Sequence, residues 1–294
     1  MGIGEPLATY LELRQSADDG SEGAGLSHSS KGLFLLHVLE LAEYGEPLGA
    51  VTLVHDAGDH GARYLDTARV LAAARLAVAL PDLRGHGKSE GARGHSAGIA
   101  EVLRDLDAVQ DHLAYRLPVA PKVLVGVGLG ALYALRYTLD KPGNVAALVL
   151  ISPRWRPQFR APAQPSGLFK MFKKLAPDAP GAIGNDTAKL FADPSARQAW
   201  GSDPLVHDVI TLRAIEHVGA VAGDVERRLA QVSVPTLVLH GDSRETSDPA
   251  ITQSSGGSSV DVRSIEGARH GLLHDTGHAR VAESLRDWIL AHLG

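Results

Sequence analysis

Val123-Leu124-Val125-Gly126-Val127-Gly128-Leu129-Gly130-Ala131-Leu132 is the stretch on which the fold turns. An apolar run feeds a tight glycine turn, and Leu129, Leu132, Leu135 and Leu139 then recur at helical spacing. This is strand, sharp turn, helix. In such a setting Gly-x-Ser-x-Gly presents a reactive hydroxyl. Here the central residue, Gly128, has no side chain.

Outward from this turn, short apolar runs alternate with helical periodicity, which predicts βα units and a mostly parallel sheet. Strands are expected at Leu33–Leu39, Ala50–His55, Leu76–Pro81, Lys122–Val127, Ala146–Ile151, Thr236–Leu239 and Val260–Ile265. Val102, Leu106, Val109 and Leu113 share one helical face, and Val281, Leu285, Trp288 and Ile289 share another. The rhythm breaks after Pro153, where a Pro- and Arg-rich opening leads into helical patterns without strand signals. The organisation expected is therefore a flexible N-terminal arm over 1–31, a core built from 32–152 and 233–294, and a helical cap insert over 153–232. Within the insert, Leu168, Phe169, Phe172 and Leu175 alternate with Lys170, Lys173 and Lys174 as an amphipathic helix, expected to lay its apolar side over a pocket.

The chain has 294 residues, 44% hydrophobic and 21% charged, as in ordinary soluble globular proteins. A net charge of -5 gives no electrostatic footprint for nucleic acid. No uninterrupted apolar stretch approaches the roughly 18 residues of a membrane span. The N-terminal residues lack the basic and apolar regions of a secretory signal, so the expected location is cytoplasmic. The absence of cysteine excludes disulfides, thiolate catalysis and cysteine-ligated zinc.

Several longer segments carry a family resemblance. Val54-His55-Asp56-Ala57-Gly58-Asp59-His60-Gly61-Ala62-Arg63-Tyr64 is similar to a loop of type V-H-G-x-G-E-H-x-x-R-Y. Asp82-Leu83-Arg84-Gly85-His86-Gly87-Lys88-Ser89-Glu90-Gly91, followed by Arg93-Gly94-His95, resembles D-x-R-G-H-G-x-S-x-G-x-R-G-H. Asp203-Pro204-Leu205-Val206-His207, Val234 to Gly241 and Gly267-Ala268-Arg269-His270 continue the match in the right order. Together they resemble the monoacylglycerol-lipase-like, or serine aminopeptidase (S33) type, branch of the α/β-hydrolases. The resemblance implies an α/β-hydrolase fold: a mostly parallel central sheet flanked by helices, with a helical cap.

Family chemistry needs a serine nucleophile, a histidine base, an orienting carboxylate and two backbone N–H groups forming an oxyanion hole. Carried over by position, the nucleophile falls on Gly128 and the orienting acid on Arg244. A glycine of the oxyanion loop becomes Asp56. His270 stands where the base belongs, and the Leu129 N–H remains as an oxyanion donor. Asp242 and Glu245 are alternative acids. Losing a triad serine costs about a million-fold in turnover. A carboxylate about 4 Å from a developing oxyanion costs on the order of 4 kcal/mol at an effective dielectric of 20. The expectation is a pseudoenzyme without serine-type hydrolysis, with no cofactor, binding a small apolar ligand under the cap or a protein partner. The NDRG family offers a precedent for a glycine-rich elbow in a non-enzymatic member of the fold.

Three rival readings compete with this one. Gly126-x-Gly128-x-x-Ala131 satisfies a loose dinucleotide fingerprint, but the next strand ends Leu150-Ile151-Ser152-Pro153 with no acid for a ribose. His55, Asp56, Asp59 and His60, with His86, His95, His270 and His274, resemble a hydrolytic metal loop superficially; the expectation is no metal. An Asp56–His270 dyad that activates water is the alternative route to ester or lipid hydrolysis.

Overall fold

Predominantly apolar runs build the centre of the fold. The computed structural model describes residues 4–14, 32–43, 45–162, 176–241 and 247–293. Strands β1 (Leu7–Arg14), β2 (Leu33–Leu41), β3 (Gly49–Val54), β4 (Leu76–Pro81), β5 (Lys122–Val127), β6 (Ala147–Ile151), β9 (Thr236–His240) and β10 (Val260–Ser264) form one sheet, in the order β1-β2-β4-β3-β5-β6-β9-β10. From β4 to β10 every pairing is parallel, whereas β2 pairs antiparallel with both β1 and β4. Strands β3, β4, β6 and β9 are buried along their whole length. Continuous Val/Leu/Ala runs are what a sheet covered on both faces requires.

Helices α1 (Leu65–Ala72) and α7 (His278–Ala291) cover one face; α2 (Ile99–Arg116) and α3 (Leu129–Asp140) cover the other. The period-two alternation sorts each strand between them. Val123 and Val125 pack towards Leu71, Leu285 and Ile289, whereas Leu124 packs towards Leu106 and Leu132. Both helical faces read from the sequence are buried as expected. The strand order reverses at β3, which lies between β4 and β5. In open α/β sheets the crevice at such a point, beyond the carboxyl ends of the strands, is the binding position. Asp56 follows β3 and Gly128 follows β5, so both stand at that crevice.

The sequence expectations need correction in three places. Leu7–Arg14, assigned to a flexible arm, forms edge strand β1, with Leu7 opposite Glu40 and Arg14 opposite Leu33. Its alternation carries a weak apolar signal, because an edge strand buries only half of one face: Leu7 and Tyr10 are exposed while Leu11 and Leu13 are half-buried. Residues 15–31 lie outside the described residues. Second, the stretch between β6 and β9 is not helical throughout. Alongside helices α4 (Thr187–Leu190), α5 (Pro194–Ser202) and α6 (Leu212–Arg228) it contains β7 (Pro180–Ala182) and β8 (Val209–Thr211), a small antiparallel pair. Three-residue strands are too short to show a period. Third, strand ends shift by one or two residues, and His55 and Ile265 fall just outside their strands. The amphipathic segment Leu168–Leu175 lies outside the described residues. Among the described residues no helix is long and apolar enough to cross a membrane.

Candidate functional site

The glycine turn after β5 is shaped by close backbone approach. A Cβ on Gly126 would fall 2.4 Å from the Gly130 carbonyl oxygen, and one on Gly130 would fall 2.3 Å from the Val54 carbonyl oxygen. The turn is thereby pressed against the end of β3. Gly128 sits at φ 56, ψ -109, a region open to glycine and costly to other residues. A Cβ on Gly128 would lie 2.0 Å from Cγ of Asp56. The space a side chain at residue 128 would occupy is filled by the carboxylate of Asp56.

That carboxylate is saturated with donors. Oδ1 accepts from the backbone N–H of Ala57 and of Leu129, each at 2.7 Å, and from Nε of Arg154 at 2.7 Å. Oδ2 accepts from Nη2 of Arg154 at 2.7 Å and lies 2.9 Å from Nε2 of His270. Leu129 is the first residue of α3, so its N–H has no intrahelical acceptor and carries part of the positive end of the helix dipole. Asp56, Arg154 and His270 are each at most 5% exposed. Burial pushes the Asp56 pKa up, but the Arg154 guanidinium and the His270 hydrogen bond outweigh it and hold the group well below the usual carboxylate range. Burial, reinforced by the charge on Arg154, lowers the pKa of His270, and the hydrogen bond to Asp56 only partly opposes this.

The ionisation states fix the histidine's tautomer. An ionised carboxylate only accepts hydrogen bonds, so the neutral imidazole carries its proton on Nε2 and donates it to Asp56. A histidine serving as base for a hydroxyl at residue 128 would need that same nitrogen bare.

Arg154 reaches this position through a kinked segment. Ser152, just past β6, is fully buried at φ 45, and after Pro153 the Arg154 N–H donates to the Gly128 carbonyl at 3.1 Å. Nη2 of Arg154 also donates to Oδ1 of Asn185 at 2.9 Å, and Nδ2 of Asn185 donates to the Ala57 carbonyl at 3.1 Å. Arg154, Ala57 and Asn185 are the site residues that sequence reading missed. The Pro/Arg-rich opening after β6 signalled cations there, but nothing in the spacing identified which arginine turns inward.

Asp56, Leu129 and His270 thus meet at Gly128. Arg244, Asp242 and Glu245 lie outside the described residues. The histidines of the supposed metal loop diverge. Nδ1–H of His55 donates to the Asp56 carbonyl at 2.7 Å while its Nε2 accepts from the Leu83 N–H at 2.9 Å, stitching the β3 loop to the β4 loop. Asp59 accepts from the Tyr64 hydroxyl, and His60 pairs with Asp203. Among the described residues no group of three or more His, Asp or Glu is arranged to hold a metal.

Two small cavities flank the carboxylate. One, lined by Leu83, Val102, Leu129, Tyr133, Ile183 and Ile210, has a volume of 20 Å³. The other, lined by Asp56, Val127, Phe191, Trp200, His270 and His274, holds 10 Å³. As bounded by the described residues, each has room for about one water.

Comparison with known proteins agrees with this architecture. A family model described as serine aminopeptidase, S33, matches residues 45–277. The monoacylglycerol lipase of Mycolicibacterium smegmatis is 28% identical over 84% of this chain and 90% of its own length. The monoglyceride lipase of Homo sapiens is 30% identical over 69% of this chain and 68% of its own. Among solved structures, the monoacylglycerol lipase of Paleococcus ferrophilus superposes with a TM-score of 0.75 at 26% identity, covering 87% of this chain and 99% of that one. The chain has the α/β-hydrolase fold and belongs to the serine aminopeptidase (S33) family, close to its monoacylglycerol lipases.

Proposed function

We propose that this chain is a monoacylglycerol-lipase-like α/β-hydrolase that has lost serine-type hydrolysis and acts as a pseudoenzyme. In this reading Gly128 stands at the nucleophile's position, His270 at the base's and Arg244 at the orienting acid's. The Ala57 and Leu129 N–H groups stand where the family's oxyanion hole lies. One observation carries the reading: Oδ1 of Asp56 accepts a hydrogen bond from both of those N–H groups. The donors that would stabilise a tetrahedral intermediate already hold a permanent internal anion.

The remaining requirements of the chemistry fail as well. Residue 128 has no atom that can bond to an acyl carbon. The His270 nitrogen facing it carries a proton in place of accepting one. An imidazolium there is opposed by the adjacent guanidinium. Losing one oxyanion donor costs about 10²–10³ in turnover; here both are engaged. The dyad alternative brings Asp56 and His270 together at 2.9 Å, but the imidazole nitrogen at the crevice, Nε2, is spent donating to Asp56 and is not bare to take a proton from water. As part of the same proposal, residues 153–232 form a cap. Between the described residues the two cavities beside the site are small, so an apolar ligand of any size would enter by moving the cap; a protein partner is the other candidate.

The test is incubation of the purified chain with a fluorophosphonate probe, a short-chain nitrophenyl ester and a monoacylglycerol emulsion. No labelling and no turnover above buffer are expected. Labelling, or turnover abolished by His270→Ala, overturns the proposal.

A further inference from the structure

The excursion between β6 and β9 meets the core along a seam unusually rich in imidazole. Backbones approach closely there: the His207 N–H donates to the Gly58 carbonyl at 3.0 Å, and the Thr211 N–H donates to the Gly94 carbonyl at 3.1 Å. Beside the first contact, the His207 ring packs on the His86 ring at 4.6 Å, and His55 lies behind His86 at 5.1 Å. Beside the second, His217 of α6 is 2.6 Å from the Ser96 hydroxyl through Nε2, and His95 is 3.1 Å from the Thr211 hydroxyl through Nδ1. Nε2 of His207 and Nδ1 of His217 are buried without a hydrogen-bond partner among the described residues.

We propose that this seam is a proton-operated latch: protonation of His86, His207 and His217 releases residues 180–228 from the core while the sheet stays folded. Nδ1 of His207 accepts from the Val209 N–H at 3.3 Å, so a second proton placed there, like one on Nδ1 of His217, would be a buried cationic N–H with nothing to bond. Opening to water satisfies it, whereas remaining closed does not. The row His55–His86–His207 makes a second charge there costlier than the first.

The surrounding charges do not reverse this. His86 faces His55 and His207, with Asp82 as the nearby carboxylate and the Arg84 carbonyl as its acceptor. His207 is disfavoured as a cation by burial and Arg93, opposed in part by the backbone at Gly85 and Val209 and by Asp208. His217 faces His95 and the Tyr133 ring. His95 in turn faces Asp178, Glu101, Arg213 and Arg84. Burial outweighs the carboxylates and lowers the pKa of His86, His95, His207 and His217, the last to about 4. A base whose pKa is depressed in the closed state stabilises that state above about pH 6.5 and loses the effect as pH falls. The Asp203 carboxylate beside His60 and Arg63 resists opening, so release needs the imidazoles to act together.

The latch does not depend on whether the site turns over esters, and its test reads no activity. Amide hydrogen exchange, corrected for the intrinsic pH dependence of the rates, is followed by mass spectrometry from pH 7.5 to 4.5. Peptides covering 180–228 are expected to lose at least tenfold protection, with a midpoint below pH 6.5, while β3, β5 and β6 keep theirs. The variant His207→Asn with His217→Gln, which keeps hydrogen-bonding groups but cannot be protonated, is expected to move the midpoint down by about one pH unit. Unchanged protection of 180–228 in the unmodified chain overturns the proposal. Simultaneous loss of protection in the excursion and the central strands overturns it equally, and neither outcome requires the variant to fold.

Discussion

Asp56 and Arg154, 98 positions apart in the chain, form a bidentate pair with both hydrogen bonds at 2.7 Å, buried against the turn that carries Gly128. Each makes the other tolerable. Two backbone N–H groups and a helix N-terminus favour an anion at this place. A guanidinium beside them in a closed site needs one.

Removing the cation alone is therefore the harsher change. Arg154→Met should destabilise the chain by about 3–5 kcal/mol, because it leaves Asp56 buried and ionised without its counter-charge. The double variant Asp56→Gly with Arg154→Met should recover most of that loss. Urea denaturation of the three chains is the measurement. Equal losses in the single and double variants would mean that the two residues are not coupled.

Removing the anion instead exposes an empty cradle of two N–H groups and a guanidinium. Asp56→Ala should bind formate or acetate from solution, and its melting temperature should rise saturably with either salt relative to chloride at equal ionic strength. Mass action gives about 2.7 kcal/mol at a hundred times Kd. The unmodified chain, whose own carboxylate occupies the cradle, should show no such rise.

Much of this site was legible in the sequence, and the part that was not has a physical cause. The glycine turn, the oxyanion loop and the histidine segment mark Gly128, Asp56, Leu129 and His270, and the structure brings them together. The strand–turn–helix reading holds because continuous burial writes itself into Val123–Val127, and helical periodicity into Leu129–Leu139. Asp56 was expected to stand near a developing charge, whereas it fills the place of the missing side chain. That follows from the register of β3 against β5, in which Val54 pairs with Gly126, and no local spacing encodes it. Arg154 escaped for a similar reason. Its inward turn depends on the positive φ of Ser152, and one arginine in an Arg-rich segment carries no mark of which way it points. Edge strand β1 was missed because its half-buried alternation resembles an exposed polar segment.

The acid limb of the stability curve should carry the signature of Asp56. Its pKa is depressed in the folded chain, so its contribution is fully present above the unfolded value near 4 and is lost as pH falls below that. Folding free energy should therefore drop steeply between about pH 4 and pH 2, and more steeply than in Asp56→Asn, which cannot titrate. The buried neutral histidines add a shallower decline beginning near pH 6.5, common to both chains. Parallel acid limbs would show that the carboxylate is not held ionised by Arg154.

Restoring the hydroxyl alone should not restore chemistry. In Gly128→Ser the new Cβ would lie 2.0 Å from Cγ of Asp56, at a φ of 56, so it must displace the carboxylate from both N–H donors or distort the turn. The single variant should be less stable than the parent and unlabelled by fluorophosphonate. Combining it with Asp56→Gly removes the collision and frees the Ala57 and Leu129 N–H groups. It also removes the acceptor that holds the proton on Nε2 of His270. Slow labelling is expected in that double variant and in neither single variant. Rapid labelling of Gly128→Ser by itself would show that the carboxylate yields its place readily, and that the internal anion is not what silences the site.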